Sequence, residues 1–254
     1  MSNHGDDRSL QRRKPGAALE LDHGGIVRTD RSRKEINLVF TGHEFADGAE
    51  TIARILRKHK IKASFFFTGD FYRNPAHASS IRQLKKDGHY LGAHSDRHLL
   101  YCSWENRDST LVSREEFLDD IKGNYDAMRH FGIKRDDAPF FLPAFEWYND
   151  SISAWCREFG LTLVNFTPGT SSNADYTTPD MATQYLSSDE IYRRILLYEQ
   201  DHADGLNGFI LLVHFGTEPK RTDKFYRKLD SLLTELRSRK YRFTLLHETI
   251  PGHS

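Results

Sequence analysis

Residues Lys85–Leu100 read KKDGHYLGAHSDRHLL and combine the pattern of the fold with the strongest functional signal in the chain. A charged, helix-like segment leads into the apolar run Tyr90–Ala93, which has the length of a buried strand. His94 and His98 follow at once, at a spacing that can place two imidazoles on one face of a helical turn. The stretch therefore predicts a helix, a strand and a site at the carboxyl end of that strand.

Apolar runs of this kind recur along the chain from Ile36 onward and alternate with amphipathic stretches. Seven of them predict buried strands: Ile36–Phe40, Ala63–Phe67, Tyr90–Ala93, Phe140–Leu142, Leu161–Val164, Phe209–Val213 and Arg242–Leu246. Strands that alternate with helices indicate a parallel α/β sheet. Seven strands favour closure, so the sequence predicts an α/β fold of the distorted (β/α)7-type barrel class with parallel strands.

The starts of several helices are marked by local signals. Three stretches resemble a capping box or its aspartate analogue: Asp47–Glu50, Ser113–Glu116 and Ser187–Glu190. In the last predicted helix, apolar residues follow the spacing of a core-facing stripe: Phe225, Leu229, Leu232, Leu233 and Leu236.

Composition sets the class of protein. With 254 residues, 38% of them hydrophobic, the chain can bury a substantial core. Residues 1–34 are polar and predict an N-terminal tail and an extended lead-in, and residues 35–254 predict a single domain. Lys plus Arg balance Asp plus Glu at 36 each, so the composition does not favour a nucleic-acid or membrane-surface partner. No apolar run reaches the roughly 18 residues of a membrane span.

The compartment is less well defined by the sequence. The N-terminus lacks the apolar centre of a secretory signal, so the protein is cytoplasmic or a signal has been removed from it. Cys102 and Cys156 lack the spacing of a zinc ribbon or a redox pair, and a disulfide between them would require that folding bring them together.

The histidine pair has two interpretations. Two neutral imidazoles are a common half of a zinc site, which a carboxylate and a water complete. Alternatively, His94 and His98 are two solvated side chains among the 13 histidines of the chain. The surrounding sequence favours the metal site.

Four stretches carry a family resemblance: KHKIKASFFFTG (58–69), KKDGHYLGAHSDRHLL (85–100), NGFILLVHFG (207–216) and SRKYRFTLLHE (238–248). Over roughly residues 36–250 they resemble the polysaccharide deacetylase or NodB-homology domain, the carbohydrate esterases of family 4. The resemblance implies that His94 and His98 bind a divalent metal, zinc above all, with cobalt or nickel as alternatives. It also implies that His214 is catalytic, that acetylated glycans are the substrate, and that the protein acts outside the cytoplasm if a signal has been removed.

The first motif of that family, Thr-Phe-Asp-Asp-Gly, is altered. Here the stretch reads INLVFTGHEFADGAETI (36–52). Aligned on the strand, Thr41 and Gly42 replace both aspartates. Aligned on the following Phe-Ala-Asp-Gly, Asp47 keeps the metal aspartate and Ala46 stands at the general base, so neither alignment preserves that base.

This loop must supply the third metal ligand. Asp47 is the predicted ligand, although it could instead cap the following helix, and His43 and Glu44 are alternatives. Glu44 is also the predicted general base, because a carboxylate close to an activated water can accept its proton.

The later motifs are altered too. The stretch FFLPAFEWYND (140–150) matches Arg-Pro-Pro-Tyr-Gly with Phe141 at the arginine and Ala144 at the position whose backbone N–H stabilises the oxyanion. The family arginine normally partners the catalytic aspartate, so the loss of both is consistent. Asp175 or Asp180 could tune His214, and Phe215 replaces the aspartate that commonly follows this histidine.

Two long loops, residues 99–111 and 165–186, lie after predicted strands and are expected to border the site. Aromatic side chains near it are predicted to bind sugar faces, with core packing as the alternative: Tyr101, Trp104, Phe145, Trp147 and Tyr148. The sequence thus predicts a metal-dependent hydrolase that removes acetyl groups from N- or O-acetylated polysaccharide. The alternatives are an inactive carbohydrate-binding protein on the same fold and a metal hydrolase of a non-sugar amide.

Overall fold

The sheet is mostly parallel and is built from nine strands in the part of the chain that the computed structural model describes, residues 19–252. The strands are β1 (Glu20–Asp22), β2 (Gly25–Arg28), β3 (Glu35–Gly42), β4 (Ser64–Phe67), β5 (Tyr90–Ala93), β6 (Phe140–Phe141), β7 (Thr162–Leu163), β8 (Phe209–His214) and β9 (Arg242–Phe243). Their order is β1-β2-β8-β3-β4-β5-β6-β7, with β9 beside β3. Strands β3 to β8 run parallel to one another, and β2 is antiparallel to β8.

Near one end of this order, β2 meets the segment that follows β7 at the other end. Ile26 of β2 forms a bridge with Val164, directly after β7, and Asn165 N–H donates to the Ile26 carbonyl at 2.8 Å. The sheet therefore curls into a distorted barrel, and the predicted fold class is confirmed. β2 belongs to the segment predicted as an extended lead-in, and it is extended, but it also takes part in closing the barrel. The predicted tail before Leu19 lies outside the described residues.

Helices cover the sheet: α1 (Ala49–His59), α2 (Gly69–Arg73), α3 (Ala78–Lys86), α4 (Arg114–Arg129), α5 (Asp150–Glu158), α6 (Ser188–Asp201), α7 (Leu229–Ser238) and α8 (Leu246–Thr249). Ser113 and Ser187 cap α4 and α6 as predicted, each accepting from the backbone N–H three residues on. The five predicted stripe residues from Phe225 to Leu236 are all buried. No helix among residues 19–252 is long and apolar enough to cross a membrane.

Two local predictions were wrong. The predicted strand 242–246 ends at Phe243, since Leu246 already begins α8, whose Glu248 carboxylate accepts from the Leu245 N–H at 2.7 Å. Asp47 does not cap α1: Gly48 is the N-cap, and no side chain bonds there. Cys102 and Cys156 are buried free thiols.

Candidate functional site

A cavity of about 570 Å³ opens at the carboxyl ends of β3, β5 and β8. Most of the predicted site residues line it: His43, Glu44, His94, His98, Trp104, Phe145, Trp147 and His214. The two long loops also reach it, through Trp104 in one and Asn173, Tyr176 and Met181 in the other. The barrel therefore brings together residues that are up to 171 positions apart in sequence, as the parallel strand order requires.

His94 is held at both ends by hydrogen bonds. Its backbone N–H donates to Asn124 Oδ1 at 2.8 Å, and its ring Nδ1 lies 2.8 Å from the Leu142 carbonyl oxygen. A carbonyl can only accept, so Nδ1 carries the proton and Nε2 keeps a free lone pair. Burial is the main cause that lowers the pKa of His94 to about 3, so the ring is neutral, as a metal ligand must be.

His98 is presented by a turn that α4 supports. Asp120 accepts from the Asp96 N–H at 3.0 Å and from the Tyr101 hydroxyl at 2.6 Å, and this fixes the turn between the two histidines. Ser95 and His98 have φ angles of 71° and 57°, in a region that non-glycine residues occupy at a cost of about 1–3 kcal/mol. Burial, followed by neighbouring histidines, lowers the pKa of His98 to about 2.

The two rings are placed as ligands of one ion would be. Their centroids are 5.3 Å apart with an interplanar angle of 59°. Two imidazoles that bind one tetrahedral zinc at 2.0–2.1 Å have centroids roughly 5 Å apart. The spacing of the pair, the tautomer of His94 and the neutral state of both rings therefore fit a divalent ion.

His43 does not extend this pair in its present orientation. Its ring is stacked on His98 with centroids 4.7 Å apart and planes only 9° from parallel. A nitrogen lone pair lies in the plane of its ring, so two stacked parallel rings cannot direct lone pairs at one point. The His43 Nδ1 also bonds Thr68 Oγ1 at 3.1 Å.

Asp47 is placed away from the histidine pair. Its carboxylate contacts Lys224 Nζ at 2.9 Å, accepts from the Thr217 N–H at 2.8 Å and accepts from the Tyr226 hydroxyl at 3.0 Å. It does not line the cavity. The structure thus gives the predicted metal aspartate a different role, in which it neutralises a buried lysine.

Glu44 is the remaining candidate in this loop. It lines the cavity, its side chain is 65% exposed, and its Oε1 lies 3.9 Å from the His43 Nε2. Among residues 19–252, no three His, Cys, Asp or Glu side chains stand together as a formed metal site. The residues therefore fit a metal through two ligands, and the third is not in place.

His214 ends β8 and is paired with Asp175. The His214 Nδ1 lies 2.6 Å from Asp175 Oδ1, and the His214 backbone N–H donates to Oδ2 at 2.9 Å. Burial disfavours the charged imidazolium, but the buried Asp175 carboxylate more than offsets it, so the pKa of His214 is raised. Of the two predicted partners, Asp175 is therefore the one in place, whereas Asp180 lies 3.6 Å from Lys220.

The stretch after β6 forms a tight turn. Phe141 and Ala144 are fully buried, and none of the hydrogen bonds among the described residues uses the Ala144 N–H. Phe145 and Glu146 follow with φ angles of 59° and 53°. This pair of left-handed residues places Glu146 in the cavity wall, where sequence reasoning did not expect it.

The aromatic predictions divide into two groups. Trp104 and Trp147 stack with centroids 5.2 Å apart, and Phe145 contacts both Trp104 and His98 at the cavity wall. Tyr101 and Tyr148 are instead fully buried, and their hydroxyls donate to Asp120 Oδ2 at 2.6 Å and to the Asp22 carbonyl at 2.9 Å. Their predicted role in substrate binding is corrected to packing.

The sequence of this chain is similar to those of polysaccharide deacetylases. The model of the polysaccharide deacetylase family matches residues 28–164, which is more than half of the chain. The chain is 24% identical to a peptidoglycan-N-acetylglucosamine deacetylase of Bacillus cereus over 91% of this chain and 96% of that protein. It is 28% identical to an uncharacterised 30.6 kDa protein of Geobacillus stearothermophilus, and the aligned region covers 50% of this chain and 46% of that protein.

A solved structure with the same fold is that of a family 4 carbohydrate esterase pseudoenzyme from Bacillus anthracis. It has a TM-score of 0.69 and 18% identity, and the match covers 90% of this chain and 69% of that one. At this identity the likeness shows the fold alone. Taken with the family match and the histidine pair at the end of β5, it leads to one conclusion: this chain belongs to the polysaccharide deacetylase family.

Proposed function

We propose that this protein hydrolyses acetyl groups from an acetylated glycan. The observation that carries the proposal is the position of the His214–Asp175 pair in the same cavity as His94 and His98. A histidine whose pKa is raised can give a proton to a leaving group, and two neutral histidines can bind a divalent ion.

The metal ligands in this proposal are His94, His98 and Glu44. A bound zinc, cobalt or nickel ion would supply Lewis-acid polarisation of the acetyl carbonyl and of the attacking water. The chain supplies the rest. His94 is fixed by the Leu142 carbonyl, and the Ala144 N–H is free to donate to the oxyanion, a contribution of about 2.7–4 kcal/mol in hydrolases that use such a donor.

His214 acts on the other side of the scissile bond. Its Nδ1 is held by Asp175, so Nε2 is the nitrogen that can carry a proton to the departing amine or alkoxide. Trp104 and Trp147 form an aromatic surface at the cavity wall on which a sugar face can pack.

The charge of the cavity leads to a prediction about substrate preference. Among the described residues the lining has no lysine or arginine. Glu44 and Glu146 contribute carboxylates without a lysine or arginine partner, Glu218 is paired with Lys220, and the raised pKa of His214 favours one imidazolium. We expect N-acetylglucosamine oligomers to be deacetylated at least about tenfold more efficiently than acetylated uronic-acid oligomers of equal length, since a second like charge costs on the order of 1 kcal/mol or more. Acetate release measured as kcat/KM on both series is the test.

Such an assay also tests the proposed function itself. Acetate released from the neutral series with added zinc or cobalt supports it. Binding of the same oligomers without acetate release, whichever metal is added, would favour an inactive carbohydrate-binding protein. This alternative is motivated by the replacement of the family's base and of its arginine partner. A preference for the acidic series would contradict the charge argument but not the proposed deacetylase function.

The third metal ligand is testable by two conservative variants. Glu44→Gln is expected to lose bound metal at unchanged stability, because its exposed carboxylate makes no hydrogen bond to a described residue. Asp47→Asn is expected to keep the metal and to lose about 1–3 kcal/mol of stability, because Lys224 is 8% exposed and would lack its carboxylate. Elemental analysis after dialysis and thermal unfolding give the two readouts.

The reverse pattern is equally informative. Metal lost from Asp47→Asn and kept by Glu44→Gln would assign the third position to Asp47, which would require its release from Lys224.

A further inference from the structure

The family's general base is missing from the first motif, and the structure offers a replacement from another strand. We infer that Glu146 is the catalytic base that accepts the proton of the attacking water. This inference rests on the proposed deacetylase function. It differs from the sequence prediction, which gave the base to Glu44.

The placement of Glu146 is the first support. Glu146 lines the cavity that holds His94, His98 and His214, and its carboxylate interacts with His214. Two hydrogen bonds fix the turn that presents it. The Glu146 N–H donates to the Pro143 carbonyl at 3.0 Å, and the Glu146 carbonyl accepts from Asn165 Nδ2 at 2.8 Å.

The backbone of this turn is the second support. Phe145 and Glu146 are consecutive left-handed residues without glycine, a conformation that residues with a Cβ seldom adopt. Strain of this kind persists where the surrounding contacts impose it, and it is concentrated at functional sites. Here it turns a carboxylate into the cavity.

The surroundings of the carboxylate are the third support. Glu146 interacts electrostatically with His214 and Tyr176, which line the cavity, and with Asp175, the partner of His214. Its carboxylate has no hydrogen bond or ion pair with any residue in the range 19–252, so it is not committed to a structural partner. Burial first of all, with opposing effects of His214 and Asp175, raises the pKa of Glu146 to about 7, which suits a base that works near neutrality.

The position of the lost aspartate gives a fourth observation. Thr41, which replaces it in the strand alignment, pairs with His214 across β3 and β8 and lines the same cavity. Its hydroxyl is buried and has no hydrogen-bond partner among the described residues. Because a threonine hydroxyl is not basic, Thr41 does not replace the lost aspartate as the base.

The reaction balances with these groups. Glu146 takes one proton from water while the water oxygen bonds to the acetyl carbon, and the carbonyl π electrons move to the oxygen. The bond from this carbon to the sugar nitrogen or oxygen then breaks, and its electron pair takes the proton of the His214 imidazolium. The proton on Glu146 returns to His214, and acetic acid and the free amine or alcohol leave.

The test uses Glu146→Gln, which keeps the shape of the side chain and removes its basicity. We expect kcat on an N-acetylglucosamine oligomer to fall by about 10²–10³-fold, with KM within about threefold and bound metal unchanged. The matched control is Glu218→Gln, since Glu218 also lies at the cavity wall but its carboxylate is 3.5 Å from Lys220. This control should retain wild-type kcat.

Rescue separates a base from a structural role. Glu146→Ala should regain activity with added formate, which restores a carboxylate to the cavity, and the same addition should not help Glu44→Gln. Wild-type kcat in Glu146→Gln, or a loss of activity that formate does not relieve in a folded, metal-containing Glu146→Ala, would overturn the assignment while the deacetylase function stands. A wild-type protein that releases no acetate from any acetylated glycan would overturn both.

Discussion

Protein in which His94 is replaced by alanine is expected to bind no divalent metal and to release acetate at least about 10³-fold more slowly than the wild type. The ring is buried, its tautomer is fixed by the Leu142 carbonyl, and it supplies one of the two ligands already in place. A metal ion contributes several kcal/mol to such a reaction, and each 1.36 kcal/mol is a factor of ten in rate. Elemental analysis and an acetate assay on one preparation measure both effects.

A matched variant tests whether the loss of metal and of activity follows from removing any imidazole or from removing His94 in particular. His59 lies outside the cavity, where its Nε2 bonds Asp230 at 2.7 Å, so His59→Gln should keep metal and activity. Full metal content and unchanged acetate release in a folded His94→Ala protein would remove the basis for a metal at this site.

The barrel and the histidine motif were predictable because both depend on short-range patterns. Strand β5 has the predicted limits, and seven apolar runs were enough to indicate a closed parallel sheet. His94 and His98 belong to one turn, so their separation in sequence already fixes their separation in space to within a few ångströms. Fold and histidine pair thus come from information within a single segment or a regular repeat.

The role of Asp47 was not predictable in this way. Its partner Lys224 lies 177 residues further on, and nothing near Asp47 in sequence distinguishes a metal ligand from the partner of a distant lysine. The motif alignment favoured the ligand, and the ion pair that competes with it became visible only in the folded chain. The same reason left Asp175 and Asp180 open as partners of His214.

Glu146 was missed for a different reason. The third motif places backbone groups at the site, so an alignment to it gives no role to the side chain that follows. The left-handed conformations at Phe145 and Glu146 also have no signal in these residue types, which seldom adopt them. The available hint in the sequence was a glutamate two residues after Ala144, the oxyanion position.

Asp175→Asn is expected to lower kcat by about 10²–10⁴-fold and to leave metal content unchanged. The carboxylate orients His214 through Nδ1 and stabilises its protonated form. Without that charge, burial is the largest remaining effect on the ring, Glu146 is the carboxylate that still opposes it, and the pKa of His214 falls. The fraction of imidazolium able to protonate a leaving group then decreases, so the high-pH limb of kcat/KM should move to lower pH. A pH–rate profile and the NMR titration of His214 measure this shift.

Asp180→Asn is the control for this variant, because Asp180 belongs to the same loop but lies beside Lys220 and is exposed. It should leave both the pH profile and kcat unchanged. An Asp175→Asn protein whose His214 titrates as in the wild type, with kcat still reduced, would mean that Asp175 positions the ring and does not tune its charge. Unchanged kcat would mean that proton donation to the leaving group comes from a residue other than His214, because the loss of the Asp175 charge lowers the protonated population of this buried histidine.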